Sequence, residues 1–158
     1  MAENSGNLGL FCDLAGTLVK MDDTRQLPLG RDGKITVELL PGVAEKLRPI
    51  RDHLIFVVTN QAGVARGRLS LQQVEDAIAE LDRQLGDIIT GWQICPHGDA
   101  HGCACRKPKG GMLTELGAMY GVEMKGSTMV GDQEVDAVAA RAAGVGRFIW
   151  AREFFGWK

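Results

Sequence analysis

A chain of 158 residues with 45% hydrophobic and 24% charged residues is long enough to bury roughly two-thirds of its unfolded surface around one core, which excludes a disordered chain and a disulfide-dependent miniprotein. A formal net charge of −2, from 18 basic and 20 acidic residues, excludes a general attraction to nucleic acid or anionic membrane and favours small substrates. The polar start Met1–Asn7 and the lack of any apolar run near ~18 residues predict neither a signal peptide nor a membrane span, hence a cytoplasmic protein whose four cysteines are thiols or metal ligands.

In chain order, Leu8 to Cys12 is an apolar run that reads as a strand buried on both faces. It leads into Asp13-Leu14-Ala15-Gly16-Thr17-Leu18, where an aspartate stands just past the strand end and Gly16 lets the backbone turn tightly around an anion. Such an aspartate can attack phosphorus or hold a cation. Val19 to Val37 is polar, contains Pro28, Gly30 and Gly33, and is expected to form a hairpin or flap, a candidate lid. Val43 to Ile50 reads as a helix, and Leu54 to Val58 as a second buried strand. After it comes Thr59-Asn60-Gln61-Ala62-Gly63-Val64-Ala65-Arg66-Gly67, in which a hydroxyl and successive amides can hold phosphoryl oxygens.

Ser70 with Gln73 forms a capping box, and Leu71, Val74, Ile78, Leu81 and Leu85 share one helical face that ends before Gly86. Trp92 to Cys95 is a short strand, followed by Cys95-Pro96-His97 and, five residues on, Cys103-Ala104-Cys105. Three thiolates and one imidazole in a glycine-rich loop match a closed tetrahedral zinc site at Cys95, His97, Cys103 and Cys105, whose full ligand set makes the zinc structural. A disulfide or scattered free thiols are the competing readings, and His101 is a possible substitute ligand but reads better as an exposed loop residue. Arg106-Lys107-Pro108 supplies fixed positive charge directly after this loop.

Met112 to Tyr120 reads as a helix stopped by Gly121, Thr128 to Val130 as a strand, and Gly131-Asp132-Gln133-Glu134-Val135-Asp136 as an acidic turn suited to a hard divalent cation. Glu134 to Ala143, ended by Gly144, is a helix, and Arg147 to Trp150 a last strand. Strands alternating with helices imply a parallel sheet, whose ligands bind at the carboxyl ends of the strands. Trp150, Phe154, Phe155 and Trp157 either stack bases or pack the chain end onto the body, with packing preferred. Taken singly, Asp132 could cap a helix, Thr59 close a turn, Lys107 be a solvated charge, and buried Cys12 be core packing.

Together, the four motifs in this order resemble the haloacid dehalogenase superfamily, from Leu8 to about Trp150, and most closely the branch of heptose-bisphosphate and histidinol-phosphate phosphatases, with the polynucleotide 3′-phosphatases as relatives. The resemblance implies a three-layer α/β Rossmann-like fold, a parallel sheet of about five strands, no large cap domain, and one domain over residues 1–158 with a flap at about 19–37 and a zinc loop at 95–105. It implies Asp13 as the nucleophile that forms an aspartyl-phosphate, Thr59, Asn60 and Arg106 as phosphate or substrate binders, and Lys107 as the neutralising cation. Magnesium would be held by Asp13, Asp132 and the backbone carbonyl of Ala15, with Asp136 supporting from behind. The chain departs from the pattern at Ala15 itself, where the family carries an aspartate that protonates the leaving oxygen and activates water; losing such a group typically costs about 10²–10⁴-fold in rate. The resulting expectation is a magnesium-dependent phosphomonoester hydrolase, a monomer acting on a small sugar phosphate or bisphosphate with lowered turnover. The alternatives are a 3′-phosphatase acting on nucleic acid and a non-catalytic phosphate-binding module.

Overall fold

The computed structural model describes residues 6–158. Five strands, β1 (Gly9–Cys12), β2 (Leu54–Asn60), β3 (Ile89–Cys95), β4 (Thr128–Gly131) and β5 (Arg147–Trp150), form one parallel sheet in the order β3-β2-β1-β4-β5. The α/β class and the strand count are as the sequence implies. The helices are α1 (Val43–Leu47), α2 (Ala62–Ala65), α3 (Leu71–Leu85), α4 (Gly111–Tyr120), α5 (Glu134–Ala142) and α6 (Ala151–Phe155).

Side chains alternate across the sheet and so divide the apolar interior in two. Leu10, Cys12, Val57 and Val130 face Leu47, Ile78 and Leu81 on the layer of α1 and α3. Phe11, Phe56, Val58 and Met129 face Leu113, Leu116 and Ala140 on the layer of α4 and α5. Because β1 is paired on both edges and covered on both faces, all four of its residues are buried, which is why its sequence shows a continuous apolar run rather than alternation. Phe11 and Phe56, register partners on β1 and β2, stack with ring centroids 5.1 Å apart.

The capping box opens α3 as its sequence predicts: Ser70 Oγ accepts from the Gln73 amide at 3.0 Å, and Gln73 Oε1 accepts from the Ser70 amide at 2.7 Å. Elsewhere the boundaries differ from the sequence pattern. α1 ends at Leu47 instead of Ile50, since Pro49 has no amide hydrogen to continue the helical ladder. β2 runs on through Thr59 and Asn60, and β3 starts at Ile89, with pairing to β2 carrying the strand through Gly91, a poor strand former that interrupts the pattern. The aromatic tail packs: Phe154, Phe155 and Trp157 lie against the α1 and α3 core, and the Trp157 indole donates to the Pro41 carbonyl at 2.6 Å. Among the described residues, no helix is long and apolar enough to cross a membrane.

Candidate active site

The carboxyl ends of β1, β2 and β4, three adjacent strands, deliver Asp13, Thr59 and Asp132 to one end of the sheet. Lys107 arrives there from the loop after β3. A cavity of about 420 Å³ opens beside them, and its lining includes Asp13, Ala15, Thr59, Asn60, Arg106 and Lys107. The sequence-predicted residues of the first three motifs are thus brought around one space, with Asp132 and Asp136 immediately beside Asp13.

Lys107 is the electrostatic hub of this arrangement. Its side chain is 2% exposed, and Nζ donates to Asp13 Oδ1 at 2.8 Å, Asp136 Oδ1 at 2.7 Å and the Val58 carbonyl at 3.0 Å. Burial alone would lower the Lys107 pKa, but the two carboxylates reverse that and hold the ammonium in its charged form. Asp13 moves the other way: burial pushes its carboxyl up, Lys107 opposes that, and the nearby Asp132 carboxylate adds to the rise. Asp136 is fully engaged, because its second oxygen accepts from the Asp132 and Gln133 amides at 3.1 Å each. It therefore fixes both the lysine and the backbone of the acidic turn.

The second oxygens of Asp13 and Asp132 face a common point. Thr17 Oγ1 lies 3.3 Å from Asp13 Oδ2 and 3.3 Å from Asp132 Oδ1. Two carboxylates converging at this spacing, with a hydroxyl beside them and the Ala15 backbone at the cavity wall, form an all-oxygen donor set that fits a hard divalent cation such as magnesium. Gly16, at φ 85°, makes the approach possible, since a β-carbon there would collide with Asp132 Oδ2.

Thr59 is 1% exposed, and its hydroxyl oxygen accepts from Gln61 Nε2 at 2.9 Å, which leaves the hydroxyl proton free to donate into the cavity. Asn60 lines the cavity, and its side chain has a further task. Its amide oxygen accepts from the Lys107 amide and its Nδ2 donates to the Lys107 carbonyl, both at 3.0 Å, so it clamps the lysine backbone. Arg106 lines the cavity while Nε donates to Asp99 at 2.6 Å and Nη1 to the His97 carbonyl at 3.1 Å.

The Cys/His loop closes on itself. Cys95, His97, Cys103 and Cys105 place one ligand atom each within 4.8 Å of the others, and all the cysteines are free thiols. Cys95 Sγ lies 3.1 Å from Cys105 Sγ and 3.6 Å from Cys103 Sγ, and His97 Nδ1 lies 3.2 Å from Cys105 Sγ. These separations suit four ligands at about 2.0–2.3 Å from one zinc. His101 stays outside the group and accepts from the Gly98 amide through Nδ1 at 2.8 Å.

The flap supplies what sequence reasoning missed. Between Asp22 and Gln26 the chain forms a closed turn, with the Asp22 amide donating to the Gln26 carbonyl at 2.7 Å. Asp22 Oδ1 accepts from the Thr24 and Gln26 amides, and Asp22 Oδ2 from Arg68 Nη2 at 3.1 Å. Arg25, at φ 64°, projects from this turn, and its Nη2 donates to Asp132 Oδ2 at 3.0 Å. With its amide oxygen turned toward Arg25, Gln133 also accepts, from Nη2 at 2.7 Å and Nε at 3.0 Å. Arg25 and Arg66 both line the cavity. A lone arginine in a polar segment carries no periodic signal, so nothing in the sequence singles it out.

Known proteins are similar to this chain in sequence and in fold. Residues 104–151 match the family model described as HAD-hydrolase-like. The chain is 35% identical to the D-glycero-beta-D-manno-heptose-1,7-bisphosphate 7-phosphatase of Vibrio cholerae over 147 residues, covering 78% of this chain and 79% of that one. It is 43% identical to the Pseudomonas aeruginosa enzyme of the same name over 95 residues, which cover 56% of this chain and only 51% of the relative. Among solved structures, the D,D-heptose 1,7-bisphosphate phosphatase of B. bronchiseptica, complexed with magnesium and phosphate, superposes with a TM-score of 0.76 at 29% identity, over 89% of this chain and 79% of that one.

Proposed function

Because the chain belongs to the haloacid dehalogenase phosphatases of the heptose-bisphosphate branch, we propose that it hydrolyses a small sugar phosphate or bisphosphate by way of a phosphoryl group carried on Asp13. The observation that carries this reading is the meeting of Asp13, Thr59, Lys107 and Asp132 at one cavity, each from a separate element. Phosphoryl transfer is mostly positioning and charge compensation, and these groups divide that work.

Lys107 holds Asp13 Oδ1, opposes the effect of burial on the carboxyl and orients the carboxylate that attacks phosphorus. As the Asp13–phosphorus bond forms, the bond from phosphorus to the leaving oxygen breaks. Thr59 donates its free hydroxyl proton to a phosphoryl oxygen, and Arg106 and Arg66 lie along the wall where a sugar or a second anionic group would rest. Asp13, Asp132 and the Ala15 carbonyl would hold magnesium, which when bound compensates the negative charge of the phosphoryl oxygens. Water then attacks the phosphorus, releases phosphate and regenerates Asp13. Both halves need a proton transfer, and Ala15 offers no group to perform it. The chain therefore favours substrates whose leaving alcohol departs without protonation, and its phosphorylated form persists.

Phosphate release should be screened over sugar phosphates, sugar bisphosphates, nucleotides and 3′-phosphorylated DNA, with magnesium, on this chain and on Ala15→Asp. The restored carboxylate is expected to raise turnover by about 10²–10⁴-fold on a sugar phosphate. No gain on any phosphomonoester overturns the reading. Ala15 also favours a second one, a phosphate-binding module without turnover; ligand binding that persists in an inactive Ala15→Asp protein would establish it. Phe154, Phe155 and Trp157 pack against the body, which removes them as a stacking surface for nucleic acid, while Trp150 stays exposed.

A further inference from the structure

Arg25 stands between two partners of opposite consequence. Its guanidinium holds Asp132 Oδ2 at 3.0 Å, yet the side chain is half-exposed and forms part of the cavity that receives the substrate's anionic group. The turn presenting it is fastened at its far side by Asp22 to Arg68, which also donates to the Leu27 carbonyl at 2.9 Å. The flap is thus pinned to the segment after Thr59 through Arg68 and to the acidic turn through Arg25, and only the second tie ends on a candidate cation ligand.

From this we infer that Arg25 is an exchangeable counter-ion that shuttles between Asp132 and the anionic substrate, so that magnesium and substrate assist each other's binding. This rests on the reading of Asp132 as a magnesium ligand. A dication on the same carboxylate would lie within about 7 Å of the guanidinium, close enough for the two positive charges to repel each other. While Arg25 stays on Asp132, the cation binds weakly. When a phosphate group in the cavity draws the guanidinium away, a bidentate arginine–phosphate pair replaces the arginine–aspartate pair and Asp132 is released. By linkage, bound magnesium must favour the phosphate contact by the same factor. Arg25 acts through Asp132 and is a positioning residue for the cation.

Titration calorimetry with magnesium chloride, with and without inorganic phosphate, tests this without turnover. Arg25→Gln removes the charge at an exposed position and is expected to bind magnesium about tenfold more tightly than the parent chain in the absence of phosphate. Phosphate should tighten magnesium binding more in the parent than in Arg25→Gln, and Arg25→Lys, which keeps the charge, should follow the parent. Affinity in Arg25→Gln within twofold of the parent, or weaker, overturns the inference while leaving the cation site intact. If neither protein binds magnesium, the cation site fails and the inference with it.

Discussion

Lys107 replaces the water lost to three polar groups at once, two carboxylates and a carbonyl, at the buried floor of the cavity. Replacing it with methionine keeps the volume and strands two buried negative charges, which costs about 3–5 kcal/mol. Urea unfolding of Lys107→Met should show that loss, and adding Asp13→Asn should recover part of it. A loss as small as that of a surface lysine would contradict the hub. At this scale the sequence is informative where chemistry demands an ordered set of residue types: Asp13, Thr59, Lys107 and Asp132 are legible as ordered motifs, although Lys107 comes from the loop after β3 and not from a strand end. Arg25 is not legible, because its meaning depends on the path of a polar segment that no hydrophobic periodicity specifies. Asn60 is half legible; its neighbourhood is evident, but its two hydrogen bonds to the Lys107 backbone appear only once β2 and the loop after β3 lie side by side.

Among the elements, the Cys/His loop lies closest to the chemistry while taking no direct part in it. Cys105 precedes Lys107 by two residues, and Lys109 Nζ and the Arg106 side chain both tie back onto the loop. Zinc in this loop would fix the entry of Lys107 into the core, so purified protein is expected to carry roughly one equivalent of zinc. Cys105→Ser should lower that content, lower the melting temperature and reduce phosphatase activity together, because a loosened loop misplaces Lys107. Elemental analysis without zinc would refute the assignment. The grouping of Cys95, His97, Cys103 and Cys105 is legible from their spacing, as is α3, whose capping box and apolar face state its limits. The start of β3 and the end of α1 are not: pairing with β2 imposes strand geometry on Gly91, and Pro49 cuts a helical pattern short.

Across the whole molecule, the order β3-β2-β1-β4-β5 puts the first strand in the middle. Phe11 pairs with Phe56 on one side and Met129 on the other, so the centre of the sheet is closed by residues 118 positions away in sequence from the strand they complete. A version of the chain ending at Gly126 would lack β4 and β5, leave one edge of β1 unpaired with its apolar side chains, and is expected to aggregate in a sedimentation assay. That placement also sets an order of events during synthesis. The ribosome delivers β1 well before its second neighbour, so Gly9 to Cys12 must wait, half-paired and apolar, until Thr128 to Gly131 emerge. Asp13 is thus synthesised well before Asp132, the acidic residue it meets in the fold, and the candidate site cannot assemble until β4 has emerged.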